Sequence, residues 1–192
     1  MEGAAWVPDG SLRLSGAGDA GALLALDRAA LGHARPGFLS GWITQTPTRR
    51  TVVAEGPDGP IGFATARLCR SGGKIGPVIT PGTATALALI VGAAQALDLD
   101  RIAVDVPQQN AALLDALAAA GFVETFRTAR MIRGTPPVPS ASLQAVATLD
   151  LLDRAGRVLG LHRADPGPRH SGSGRSAHGR RWPPARFHPG LG

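Results

Sequence analysis

The chain contains one cysteine, Cys69, no tyrosine, and one lysine against nineteen arginines. A single cysteine excludes an internal disulfide and a cysteine-rich zinc site, and it fits a reducing compartment, so the expected location is cytoplasmic. Long hydrophobic runs are also missing. The greasiest stretch, Ala84 to Leu97, is broken by Gly92 and Gln95 and falls short of the roughly 20 apolar residues of a membrane-spanning helix. Met1-Glu2-Gly3 lacks the basic and then apolar opening of a secretory signal. No membrane partner is expected, and no internal repeat is visible.

What is present is unevenly distributed. The 192 residues carry a net charge of +6, yet residues 1–153 hold 12 Lys/Arg and 13 Asp/Glu, while residues 154–192 hold 8 Arg and one acid, Asp165. A nearly neutral body has no electrostatic footprint for a phosphate backbone, so no specific nucleic-acid partner is expected. The last 39 residues are dense in Gly, Pro, Arg, Ser and His. They bury too little apolar surface to offset roughly 1–2 kcal/mol of backbone entropy per ordered residue. The sequence therefore divides into a folded domain over residues 1–150 and a disordered tail over 151–192, whose deletion from 155 onward should leave stability unchanged. His162, His170, His178 and His188 lie 8 to 10 residues apart, too widely for a zinc site; no metal is expected.

Within the body, hydrophobic periodicity and turn residues predict the elements. Ser11–Ser15 alternates as an edge strand. Asp19 stands as a cap for a helix from Gly21 to Leu31 that Gly32 ends, and Pro36 opens a short helix to Ile43. Thr51–Glu55 and Ile61–Arg70 flank Pro57-Asp58-Gly59-Pro60, a hairpin turn, and Lys74–Thr80 follows Gly72-Gly73. A helix from Thr83 to about Leu97, a strand Arg101–Val106, a helix Gln108–Ala120 stopped by Gly121, and a strand Phe122–Arg133 complete the order β-α-α-β-β-β-α-β-α-β.

That order, with Asn110 followed by Gly121-Phe122 at the end of its helix, resembles the GNAT superfamily of N-acetyltransferases. Asp27, Gly32 and Arg35, Phe38 to Trp42, Gly62, Arg67, Ile75-Gly76-Pro77, Asp105-Val106-Pro107 and Arg130-Met131 make it similar to the divergent second GNAT-like domain of tandem acetyltransferases. The resemblance implies an α/β (α+β) fold: a mixed, mostly antiparallel twisted sheet flanked by helices, followed by the disordered tail. It implies transfer of an acetyl group from acetyl-CoA, as co-substrate, to a primary amine on a small-molecule or peptide acceptor; a homodimer is left open.

In that family the strand before the long helix splays from its neighbour, and its free backbone edge pairs with the pantetheine arm. The pyrophosphate sits on the helix N-terminus, where unpaired N–H groups and the positive dipole end favour anions. The resemblance thus places the co-substrate on Pro77, Val78, Ile79, Gly82, Thr83, Ala84 and Thr85, with Asn110 bordering the thiol end or capping its helix. Two departures stand out. The Gln/Arg that leads the family's phosphate motif is missing before Gly82, and Leu117 occupies the position of the tyrosine that protonates the thiolate. Glu55 and Asp105 are the candidate bases. His33, after a helix end, reads as a partner of terminal carbonyls, Cys69 as a small core residue, and Asp27 with Arg35 as a structural ion pair. The departures keep a second reading open, a catalytically silent GNAT-like module that covers a substrate or binds a partner.

Overall fold

A computed structural model describes residues 12–129, 140–148 and 157–163, the last group and Ala129 by backbone alone. The elements are β1 (Leu12–Leu14), α1 (Ala20–Leu31), α2 (Pro36–Ile43), β2 (Arg49–Gly56), β3 (Gly59–Leu68), β4 (Gly73–Ile79), α3 (Thr83–Gln95), β5 (Ile102–Pro107), α4 (Ala111–Ala119), β6 (Phe122–Ala129), β7 (Leu143–Ala145) and β8 (Arg157–Arg163). The strands form one mixed sheet in the order β1-β2-β3-β4-β5-β8-β6, with β7 paired to β4 off that path. Among the described residues, only β4 and β5 run parallel, and the other neighbouring strands are antiparallel.

Strand alternation sends side chains to two cores. Val52, Ala54, Ala64 and Ala66 face α3 and α4, where Leu89, Ile90, Leu113 and Leu117 are buried. Val53 and Phe63 face α1 and α2, against Leu23, Ala30, Leu39 and Ile43. Helix ends follow local chemistry. Gly32, at φ +78°, closes α1 by donating its N–H to the Arg28 carbonyl, and Gly121, at φ +85°, follows α4. The Asp27 carboxylate, 1% exposed, takes both Nε (2.8 Å) and Nη2 (2.6 Å) of Arg35 and so ties α1 to α2. The expected structural pair is present.

Several elements differ from expectation. Asp19 is the residue before α1 but makes no side-chain bond to it; its carboxylate accepts the Gly16 N–H at 2.7 Å and N–H groups from the two terminal guanidinium nitrogens of Arg13. Cys69 lies just past the end of β3 and is exposed, not in the core. The largest difference is β8. Its residues belong to the stretch that composition assigns to the tail, yet they fill the slot between β5 and β6, pairing Ala103–Pro107 on one side and Phe122–Ala129 on the other. The folded region therefore extends past residue 150. Composition averaged over 39 residues conceals the strand, because Arg157–Arg163 carries Val158, Leu159 and Leu161 inside an Arg-, Gly- and Pro-rich background. The start of the first strand at Ser11, the end of the sixth at Arg133, Arg130-Met131, and His170, His178 and His188 lie outside the described residues.

Candidate functional site

The sheet divides at β4. Gly73, Lys74 and Ile75 pair with Ile102, Ala103 and Val104, and the ladder stops there. Against β3, Ala64 pairs with Val78 and Ala66 with Ile75, so β4 carries one extra residue where Gly76-Pro77 stands opposite Thr65. Such a bulge bends its strand and ends pairing on the other side. The Trp42 indole N–H, from α2, donates to the Gly76 carbonyl at 2.9 Å. Beyond this point β4 and β5 separate, as the sequence resemblance leads one to expect.

The wedge between them is filled by the chain itself. β7 runs antiparallel to β4, pairing Ala145 with Val78 and Leu143 with Ile79, and Gln144 is the extra residue of a bulge. Thr80 N–H donates to the Ser142 carbonyl at 2.9 Å, and on the far side Val146 N–H donates to the Asp105 carbonyl at 3.0 Å. Residues 143–148 are all buried. Leu143 and Val146 join the core on the α1/α2 side, and Ala145 joins the one on the α3/α4 side. The Gln144 amide donates to the Thr80 carbonyl at 3.1 Å and the Ala141 carbonyl at 2.9 Å. Contact is so close that a Cβ on Gly76 would run into the Val146 carbonyl.

Each expected site residue can be placed against this geometry. Pro77, Val78 and Ile79 line the wedge, fully buried, and Val78 and Ile79 are paired with β7. Asn110 precedes α4 without a side-chain bond to it; its amide donates instead to the carbonyls of Leu143 (2.6 Å) and Gln144 (3.2 Å). Gly82 precedes α3 in extended conformation with no side-chain cap, and Thr83, Ala84 and Thr85 form the first turn, which holds no acid. Leu117 is buried and faces the α3/α4 core.

The two candidate bases are not brought together, since β3 and β4 stand between their strands. Glu55, near the β2–β3 hairpin, accepts the Arg13 Nε–H at 2.6 Å. Asp105 is 1% exposed and its carboxylate is ion-paired with the Lys74 ammonium. His33 Nδ1 lies 3.3 Å from the Leu31 carbonyl, as its place after α1 suggests. Asp19 is the acid most perturbed: Arg13, and then the Gly16 N–H, hold its pKa at about 2. Among the described residues, no group of three or more His, Cys, Asp or Glu is arranged to hold a metal, and no helix is long and apolar enough to cross a membrane.

Sequence reasoning missed the filling of the wedge by Ser140–Thr148 and a row of cations across β2, β3 and β4. The signal for the first is the run Leu143-Gln144-Ala145-Val146-Ala147, apolar but for Gln144, after the prolines at 136, 137 and 139. For the second it is Arg49 and Arg67 placed to pair across a hairpin.

Comparison with known proteins adds identity to the geometry. A family model described as an acetyltransferase (GNAT) domain matches residues 23–145. A holothin acyltransferase from Pseudoalteromonas sp. (strain SANK 73390) is 29% identical over 146 residues, covering 75% of this chain and 49% of the relative. The chain thus spans about half the length of that protein. Among solved structures, the ribosomal-protein-S18-alanine N-acetyltransferase of Escherichia coli aligns with a TM-score of 0.58 at 12% identity, covering 82% of this chain and 97% of that one. Mutant forms of the spermidine/spermine N-acetyltransferase of Vibrio cholerae align with a TM-score of 0.51 at 15% identity, covering 79% and 92%. At such identities the structural likeness is one of fold.

Proposed function

Because the chain belongs to the GNAT acetyltransferase family, we propose that it serves an acyltransferase as a lobe that does not itself hold the thioester donor. The observation that carries this reading is β7. An acyl-CoA would supply the activated acyl group, and in this fold its pantetheine arm needs the free backbone edge of β4 beyond the bulge. Here that edge is bonded to Ser142, Leu143 and Ala145, so the residues present do not fit the co-substrate while β7 is in place. Asn110, expected at the thiol end, spends its amide on β7. Leucine stands at the tyrosine position and the chain has no tyrosine, so the family's usual acid for the leaving thiolate is missing. That the chain spans 49% of its acyltransferase relative supports a role as one lobe of a longer protein.

The second reading is acetyl transfer from acetyl-CoA to a primary amine on this lobe. The first turn of α3 favours it: Gly82 leaves that turn without a side-chain cap and without an acid, a setting that suits a diphosphate. It requires β7 to leave the wedge. Calorimetric titration of the full chain with acetyl-CoA separates the two. The donor-free lobe gives no binding heat; saturable binding overturns it in favour of the transferase.

A further inference from the structure

On the α1/α2 side of the sheet, Arg49 and Arg67 are direct cross-strand partners on β2 and β3. Like charges placed opposite each other repel and destabilise a sheet unless something of opposite sign lies between or beside them. Lys74 continues the row opposite Arg67, but its charge is met by Asp105. Among the described residues no carboxylate pairs with Arg49 or Arg67. Both guanidinium carbons lie against the same indole, Trp42, at 4.8 and 5.7 Å from its centroid. This holds the two cations in place without neutralising them.

Their hydrogen bonding is unfinished on one edge. Arg49 uses Nη1 on the Gly41 carbonyl at 2.9 Å, and Arg67 uses Nη1 on the Cys69 sulfur at 3.5 Å. Nε of each is buried and has no partner. The Nε/Nη2 edge is the fork that grips an oxyanion with two parallel bonds, and Arg35 shows that use on Asp27 in this same chain. We propose that Arg49 and Arg67, beside Trp42, form a binding site for a carboxylate or phosphate group of a ligand. The site adjoins the residue where β4 leaves β5, since Trp42 also holds the Gly76 carbonyl. It stands whether or not β7 moves.

Trp42 is the natural reporter. In a chain carrying Trp6→Phe and Trp182→Phe, its emission is followed while sodium phosphate or sodium acetate is added, with sodium chloride at equal ionic strength as reference. A saturable change with phosphate alone assigns a phosphate ligand, and one with acetate a carboxylate; a response no different from chloride overturns the site. Arg49→Gln or Arg67→Gln should weaken the response about tenfold or more, whereas Arg28→Gln, on the exposed face of α1, should not. Melting temperature provides the check on folding: the active anion should raise it in the parent chain and not in Arg67→Gln. An equal rise in both overturns the proposal.

Discussion

Opening the wedge is the perturbation that bears most directly on what this lobe does, and Asn110→Ala is the mildest way to attempt it. The side chain makes no capping bond to α4, so its removal leaves the helix start intact, but it strips the donors from the carbonyls of Leu143 and Gln144. At about 0.5–1.5 kcal/mol net for each bond, β7 loses roughly 1–3 kcal/mol of its hold. It keeps the Thr80 to Ser142 and Val146 to Asp105 bonds. It also keeps the burial of Leu143 and Val146, worth about 1.5–3 kcal/mol each. The segment should therefore stay in place and open more often. Amide exchange at Thr80 and Val146 should speed up about 5- to 150-fold while amides of the β2–β3 ladder keep their protection. Gly76→Ala acts on the same contact from the other side, because its methyl collides with the Val146 carbonyl. If both variants fold and neither changes exchange at Thr80 or Val146, β7 is not held as described. If either variant gains acetyl-CoA binding that the parent lacks, the groove under β7 is competent and the strand is what closes it.

Two further outcomes can be checked together. Ending the chain after residue 163 should leave the melting temperature unchanged, whereas ending it after residue 154 removes β8 and strips β5 and β6 of the ladder between them, at a cost of about 5 kcal/mol or more; equal stability of the two truncations in thermal melts would show that β8 is not part of the sheet. The Asp19 carboxylate, held at a pKa of about 2 in the folded chain against an ordinary 3.8, contributes stability that is fully present above the ordinary value and is lost as pH falls through about 2. Asp19→Asn should remove that acid-side slope from a denaturation series between about pH 5 and 2, and an unchanged slope would refute the assignment.

Much of the scaffold was legible because single elements announce themselves locally. Pro36 to Ile43 forms α2 with the bounds the sequence suggests, Gly32 and Gly121 stop their helices at positive φ, and Asp27 meets Arg35. These depend on residues a few positions apart. The site was less legible because it depends on where distant segments meet. Asn110 is compatible with a helix cap, a co-substrate contact or a partner for any exposed carbonyl, and what decides among them is the arrival of Leu143 and Gln144 more than thirty residues later. The opposition of Arg49 and Arg67 follows from a hairpin whose register shifts at Ala54/Glu55, and a bulge leaves no mark that alternation alone reveals.

The same distinction bears on the two candidate bases. Asp105 is buried on β5, the strand beside the splay. Here Lys74, its neighbour across the parallel ladder, meets the charge, and the Val146 N–H takes the backbone carbonyl of the same residue. A carboxylate so engaged braces the point at which β4 and β5 part. Glu55 is likewise committed, to Arg13. Among the described residues, the buried side-chain atoms without a hydrogen-bond partner are Nε of Arg49 and of Arg67, the Thr80 hydroxyl, and one carboxylate oxygen of Asp105, whose charge the Lys74 ammonium meets. The proposed anion site and the proposed donor-free lobe are compatible, because the Arg49 and Arg67 guanidinium groups stack on Trp42 on the α1/α2 side of the sheet while β7 occupies the backbone edge of β4.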